Sequence, residues 1–295
     1  MAVAPPNPPA LAESLPPLEH IRAHVQRSLD EDVGSGDLTA ALLPATQWAR
    51  AEVVTREPAV LCGRKWFELA CTLIDARVAV RWLAADGDLL APGALLCQIE
   101  GPLRALLTAE RTALNYLQTL SGTATRARRY ADAVAGLPVR ILDTRKTLPG
   151  LRREQKYAVR CGGCHNHRMG LFDAVLIKEN HITAAGSIAA AVALARQQVP
   201  PEVPVEIEVE TLAQLEQALD AGVERVLLDN FELGDLRRAV SLNQGRARLE
   251  ASGGVTLEQM RGIAETGVDD ISVGDLTKSL LAADLSMRLH VDSQN

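Results

Sequence analysis

From residue 139 onward the chain repeats one unit: a short apolar strand, a polar turn, then a helical pattern. The strands are expected at Val139 to Asp143, Ala174 to Lys178, Val205 to Glu210, Arg225 to Asp229, Arg248 to Ser252 and Asp270 to Gly274. Strands that alternate with helices predict a parallel sheet covered by helices. Nearly every strand ends in a polar or glycine group: Asp143 to Lys146, Lys178, Glu208 with Glu210, Asp229, Ser252-Gly253-Gly254 and Ser272-Val273-Gly274. An open doubly wound sheet uses the few strand ends at one switch point, whereas a barrel draws its site from many strand ends at its carboxyl rim. The pattern therefore predicts an α/β barrel, and six strands in place of the usual eight or so make it short or incomplete.

The first part of the chain reads differently. A helix is expected near Leu18 to Leu29, strands at Ala51 to Arg56 and Val78 to Leu83, and a helix from about Lys65 to Asp75. Asp86-Gly87-Asp88 and Pro92-Gly93 are turn signals that bracket short strands, the second at Ala94 to Glu100. A long helical pattern then runs from Pro102, is interrupted at Ser121-Gly122, and resumes through Ala135. Taking that interruption as a boundary divides the chain into a flexible proline-rich leader (1–17), a small α+β unit (18–120) and the barrel (121–290).

Composition narrows the classes of function. With 295 residues and 47% hydrophobic content the chain can bury one large or two moderate cores. Five cysteines, at 62, 71, 97, 161 and 164, form an odd set without a secretory signal, which points to a reducing cytoplasm. No apolar run reaches the length of a membrane span. A net charge of -6 and nine aromatics argue against a nucleic-acid surface.

Within this acidic chain one stretch has the opposite sign. Between Asp143 and Arg168 seven Arg or Lys stand against two acids, which points to a small, strongly anionic ligand. Arg152, Arg153 and Lys156, on the following helix, read as exposed ion-pair partners. Arg145, Lys146, Arg168 and Lys178 lie at or beside strand ends and read as ligand groups. An arginine fork suits carboxylates, and a lysine suits phosphate or diphosphate as a mobile point charge. The rival reading makes Lys178 a Schiff-base nucleophile, but so many cations are poorly explained by a carbonyl substrate. Glu206, Glu208 and Glu210 share one face of a strand, and in a barrel such acids need cations, hydroxyls or a metal as partners. Glu206 and Glu210 could instead pair with lysines. Ser252-Gly253-Gly254 and Val273-Gly274 offer backbone N–H groups for a phosphate. Cys161-Gly162-Gly163-Cys164-His165 spells a zinc or haem motif, yet no second ligand pair stands at a suitable spacing.

The ordered blocks Glu31-Asp32-Val33-Gly34-Ser35-Gly36-Asp37-Leu38-Thr39, Glu110-Arg111-Thr112-Ala113-Leu114-Asn115, Asp143 to Arg152, Asn166-His167-Arg168, Ile177-Lys178-Glu179-Asn180-His181 and Leu227-Leu228-Asp229-Asn230-Phe231 together resemble the type II phosphoribosyltransferases, specifically the quinolinate phosphoribosyltransferase family. The resemblance covers roughly residues 18 to 290. It implies an α/β-sandwich first domain packed on an incomplete TIM-like α/β barrel. The activity implied is transfer of a phosphoribosyl group from 5-phosphoribosyl 1-diphosphate to quinolinate with loss of CO2, in de novo NAD synthesis, with Mg2+ as cofactor. Positions matching Arg145, His167, Arg168 and Lys178 would line the pyridine dicarboxylate pocket. Thr144 and Lys146 would face substrate or diphosphate. Glu208 and Asp229 would hold ribose and Mg2+, and Ser252, Gly253, Gly254, Val273 and Gly274 the 5-phosphate. Arg111 would cross a homodimer interface to complete the neighbour's pocket. A related group associated with molybdenum transport shares this scaffold and leaves the acceptor open, and a pure binding module is a third class. Two positions depart from the family pattern: Cys164 stands where glycine is usual, and Asp275 puts a carboxylate beside the phosphate cradle, so it is expected to point away.

Overall fold

The structure, a computed structural model, describes residues 11–291 and contains two compact units that are not contiguous in sequence. Among the described residues 11–128, 153–163 and 280–291 form one; 129–152 and 164–279 form the other. The expected leader lies largely outside the described residues, and its described part includes a single helical turn, Leu11–Ser14.

The N-terminal unit is built on a four-stranded antiparallel sheet. β1 (Trp48–Thr55), β2 (Ala59–Val60), β3 (Ala79–Trp82), β4 (Leu89–Leu90) and β5 (Leu95–Pro102) belong to this half of the chain, and β12 (Leu285–Val291) returns to it from the C-terminal end. The sheet order is β12-β1-β5-β3, while β2 and β4 form a separate two-stranded ladder. β12 was absent from the sequence expectation, although Leu285, Met287, Leu289 and Val291 alternate with Ser286, Arg288 and His290 in strict strand period. Its register sets Met287 opposite Val53 and Leu289 opposite Ala51, apolar against apolar. The helix Leu18–Val33 buries Ile21, Val25 and Leu29 at four-residue spacing, and the helix Arg64–Ile74 buries Trp66 and Phe67.

One expected feature is corrected. Ser121-Gly122 does not interrupt the long helix, which runs unbroken over Leu103–Ala133. Ser121 Oγ donates to the Cys62 carbonyl at 3.1 Å and accepts from the Cys62 N–H at 3.0 Å. A Cβ on Gly122 would stand 2.1 Å from the Leu281 carbonyl oxygen. The pair is a notch that lets neighbouring backbone approach the helix, and the remaining helical hydrogen bonds outweigh glycine's modest intrinsic cost.

The second unit holds the six expected parallel strands: β6 (Arg140–Leu142), β7 (Val175–Ile177), β8 (Val205–Val209), β9 (Arg225–Asp229), β10 (Arg248–Ser252) and β11 (Asp270–Ser272). Their order is β6-β11-β10-β9-β8-β7, so β6 and β7 are the two edges. Backbone of the 164–167 segment covers the β6 edge: His165 N–H donates to the Ile141 carbonyl at 2.7 Å and Asp143 N–H to the His165 carbonyl at 3.0 Å. From that edge His167 Nε2 lies 3.0 Å from Glu206 Oε2 of β8. In a flat sheet four strand spacings would separate them by about 19 Å, so the sheet curls into an incomplete barrel. At its amino end Arg140 and Arg248 each fork onto the fully buried Asp270, and Arg225 reaches it at 3.3 Å. Burial pushes the Asp270 carboxyl up, but the hydrogen bonds from Arg140 and Arg248 outweigh it and leave it below its ordinary value.

Candidate active site at the carboxyl rim of the barrel

The rim begins where β6 ends. Asp143 is fully buried and acts as a bracket: Oδ2 accepts from Asn166 Nδ2 at 2.6 Å and Oδ1 from the His167 N–H at 2.9 Å. Thr144 Oγ1 accepts from the Lys146 N–H at 3.0 Å, and Thr277 Oγ1 donates to the Lys146 carbonyl at 2.8 Å. Lys146 Cδ lies 2.9 Å from where a Cβ on Gly274 would stand, so the bare glycine after β11 lets the lysine stem cross the rim. Arg145 Nε is shielded from solvent and has no hydrogen-bond partner. Beside it, Arg168 donates to the Ala174 carbonyl at 3.0 Å. Burial and then the Arg145 charge lower the proton affinity of Arg168, the signature of two cations held together.

His167 turns inward. Its Nδ1 accepts from the Arg168 N–H at 2.7 Å, so the ring proton of the neutral form sits on Nε2. That nitrogen faces Glu206 at 3.0 Å and Glu250 at 3.5 Å, and these three residues form a group able to hold a metal ion. Arg225 lies behind the two acids, 3.6 Å from Glu206 and 3.4 Å from Glu250. Burial, followed by the Glu206 charge, raises the Glu250 carboxyl well above its ordinary value. Glu206 thus pairs with His167 and Arg225; the expected alternative of a lysine partner is not realised. Glu210 is exposed, among the described residues no ion pair engages its carboxylate, and its backbone N–H donates to Gln214 Oε1 at 2.8 Å.

Across β7, β8 and β9 the signs alternate. Lys178 is ion-paired to Glu208 Oε2. Asp229 is raised by burial first and Glu208 second, while Lys178 and Lys146 pull it down. Its Oδ2 accepts from Asn230 Nδ2 at 2.7 Å. Asn230 takes a left-handed φ of 57° and donates its N–H to the Ser252 carbonyl at 3.0 Å, which ties the end of β9 to the Ser252-Gly253-Gly254 turn. A Cβ on Gly253 would lie 2.2 Å from Asn230 Oδ1. Val273 is buried and donates its N–H to the Leu142 carbonyl at 2.9 Å, so within this pair Gly274 is the more open position. Asp275 accepts from the Tyr130 hydroxyl at 2.8 Å.

The barrel unit therefore brings Thr144, Arg145, Lys146, His167, Arg168, Lys178, Glu208, Asp229, Ser252, Gly253, Gly254, Val273 and Gly274 to the strand ends of one curled sheet. Arg152 is not the exposed ion-pair partner expected of it. It donates to Thr147 Oγ1 at 3.1 Å and to the carbonyls of Met169 and Arg145, both at 3.3 Å, and so ties down the loop that presents Arg145. Lys156 is likewise buried, against the same expectation, whereas Arg153 is exposed. The structural roles of Arg152 and Glu250 were missed; an arginine ten residues past the end of a strand and an acid midway along one carry no local signal. Cys161 and Cys164 are buried and form no disulfide, and neither belongs to a metal-capable group among the described residues. Cys164 does not take a positive φ, so the backbone here does not require glycine. In the other unit Arg111 is exposed on the helix Leu103–Ala133, one turn from the exposed Asn115.

Comparison with known proteins is consistent along almost the whole chain. Residues 37–121 match the family described as quinolinate phosphoribosyl transferase, N-terminal domain, and residues 123–288 match its C-terminal domain. A Bacillus subtilis protein named probable nicotinate-nucleotide pyrophosphorylase [carboxylating] is 40% identical over 90% of this chain and 92% of its own. The Mycobacterium leprae nicotinate-nucleotide pyrophosphorylase [carboxylating] is 42% identical over 91% of this chain and 96% of its own. Among solved structures, the nicotinate-nucleotide pyrophosphorylase from Francisella tularensis superposes with a TM-score of 0.91 at 43% identity, covering 93% of this chain and 97% of that one.

Proposed function

The chain belongs to the quinolinate phosphoribosyl transferase family, and from that premise we propose how its barrel rim performs the family's reaction. It is a pentosyltransferase that converts quinolinate and 5-phosphoribosyl 1-diphosphate to nicotinate mononucleotide, CO2 and diphosphate in de novo NAD synthesis. The observation that supports the assignment of roles is the sorting of charge along the rim. Arg145 and Arg168 stand together at one side, and Lys178, Glu208 and Asp229 alternate at the other.

Arg145, Arg168 and Lys178 hold the two carboxylates of the pyridine, with Arg111 of the partner subunit closing the pocket; His167, expected in the same role, has its ring nitrogens turned to the Arg168 N–H and to the buried acids and so positions Arg168. Lys146 meets the diphosphate, beside Thr144. The backbone N–H groups of the Ser252-Gly253-Gly254 turn and of Gly274 hold the 5-phosphate, while Val273, whose N–H is spent on the Leu142 carbonyl, fixes the turn beneath them. The carboxylate of Asp275, engaged by Tyr130, leaves that cradle to the amides. Glu208 and Asp229 orient the ribose hydroxyls. The pyridine nitrogen then attacks the anomeric carbon as the diphosphate departs with its bonding electrons. The ring is now cationic, so the electrons released when the C2 carboxylate leaves as CO2 are stabilised at C2 until a proton arrives. The rim acts by position and charge, with no covalent adduct to the protein.

Asp229, raised by burial and then by the neighbouring Glu208 charge, makes with Glu208 an oxygen-only donor pair, the kind of set that suits Mg2+ when water and substrate oxygens supply the other positions. Glu208 and Asp229 would hold the ion, and it would supply countercharge to the diphosphate. Homodimerisation fits Leu38 and Leu42, 85% and 83% exposed. The segment carrying them is tied to the helix of Arg111 through Arg104 and through Thr108 with Asp37. We place the enzyme in the cytoplasm; among the described residues no helix is long and apolar enough to cross a membrane, and none of the five cysteines is in a disulfide.

The test is turnover of quinolinate against nicotinate with 5-phosphoribosyl 1-diphosphate and Mg2+. A site that pairs a second carboxylate rejects the analogue lacking it by roughly 10⁴-fold; equal turnover would overturn the assignment. Lys178, with its side chain 48% exposed and paired to Glu208, acts as a charge, so borohydride with substrate leaves no reduced adduct on it.

A further inference from the structure

The N-terminal unit contains a second constellation that the reaction does not use. His20 and His24 stand one turn apart on the helix Leu18–Val33, so both imidazoles project from one face, with ring centroids 4.4 Å apart. Facing them, Glu154 of the helix Arg152–Cys161 is completely buried. Its Oε1 lies 3.0 Å from His20 Nε2 and 3.2 Å from His24 Nδ1. Its other oxygen, Oε2, is out of solvent and has no hydrogen-bond partner. A buried carboxylate with one oxygen shared between two rings and the other unsatisfied is poorly served by hydrogen bonding alone.

The same atoms suit an ion. The three candidate ligand atoms lie within 4.8 Å of one another. Tetrahedral coordination with bonds of about 2.0–2.1 Å has ligand–ligand edges of about 3.3 Å, close to both oxygen–nitrogen separations already present. We propose that His20, His24 and Glu154 form a binding site for a divalent cation of the zinc class, three protein ligands with the fourth position left to water. The donor set selects the ion. Two imidazoles and one carboxylate favour Zn2+ or Co2+, whereas Mg2+ and Ca2+ require several oxygens. Ligation needs neutral imidazoles, so binding strengthens as pH rises. A bound ion would join two helices some 130 residues apart in sequence and stabilise the folded unit by mass action.

The experiment uses the full chain in excess Mg2+, titrated with Co2+ as a spectroscopic probe and Zn2+ as competitor. One equivalent of Co2+ gives the intense visible d–d bands of a four-coordinate ion, Zn2+ bleaches them, and Zn2+ raises the unfolding temperature. His24→Ala and the near-isosteric Glu154→Gln each weaken Co2+ binding by about 10-fold or more. Their unfolding temperatures without metal show that they remain folded, and Glu154→Gln decides the matter if His24→Ala does not fold. Glu250→Gln, which alters the other metal-capable group, leaves the bands intact. Absent bands, bands that Glu154→Gln leaves unchanged, or bands lost in Glu250→Gln would each overturn the proposal.

Discussion

Arg145 and Arg168 are useful because they are costly to the free enzyme. Burial and the Arg145 charge lower the proton affinity of Arg168 although Asp173 and Glu206 offset part of this, and Arg145 keeps a shielded Nε without a partner, so an arriving anion relieves what remains and the repulsion becomes a preference for a dianionic ring. Arg152 contributes to this indirectly by holding the carbonyl of Arg145. Arg152→Ala is therefore expected to raise the KM for quinolinate about 10-fold, the worth of one or two hydrogen bonds at about 1 kcal/mol each, with kcat little changed and the KM for the sugar diphosphate unaffected. Steady-state kinetics with each substrate varied in turn checks it. On the acid side, Asp229 is raised by burial and by the neighbouring charge of Glu208, against the pull of Lys178 and Lys146. Neutralising Glu208 removes the repulsion and frees Lys178 from its ion pair, and both changes lower Asp229. The acidic limb of the kcat/KM profile of Glu208→Gln is thus expected to move to lower pH than in the parent enzyme, even though the rate falls. A limb that stays or moves up would show that Asp229 does not set it.

At the scale of elements, the phosphate turns depend on one close approach. Gly253 has a φ of 101°, and a Cβ there would meet Asn230 Oδ1 at 2.2 Å and its backbone nitrogen at 2.8 Å. Gly253→Ala is expected to cost about 1–3 kcal/mol through that conformation, and the clash can only add to it. The loss should appear both as a lower unfolding temperature and as a raised KM for 5-phosphoribosyl 1-diphosphate. Elements were legible where their period was local. All six barrel strands could be placed because each is a short apolar run that ends in a polar group. The long helix was divided wrongly because Ser121-Gly122 has the composition of a turn, and its reason for being there, the Leu281 backbone, lies far along the chain. β12 has a clean alternation, but its partner is β1, more than two hundred residues earlier, and nothing near it in sequence suggests a sheet to join.

For the whole molecule, the local excess of cations in an acidic chain was the most informative signal of function, and the rim residues read from it do gather at the strand ends of the barrel unit. The supporting contacts could not be read the same way. Asp143 under Asn166 and His167, Glu250 behind His167, and Tyr130 on Asp275 are pairings made by the fold, and no short window of sequence contains both members. Arg111 lies at the limit of this reading. It is exposed on a helix of the N-terminal unit, and among the described residues no ion pair engages it. An unpaired surface arginine would ordinarily be dispensable, with effects within about 0.5 kcal/mol. If it instead completes the neighbouring subunit's carboxylate pocket, its loss should cost about 2–5 kcal/mol of binding. Arg111→Ala and Lys178→Ala proteins are then each expected to be inactive in isolation. Mixing them under conditions in which subunits exchange restores activity, because a heterodimer contains one site with both native residues. At full exchange of equal amounts half of the dimers are mixed, each with one intact site, so about a quarter of the native sites return. If exchange is demonstrated with labelled subunits and no activity returns, Arg111 serves its own subunit or none.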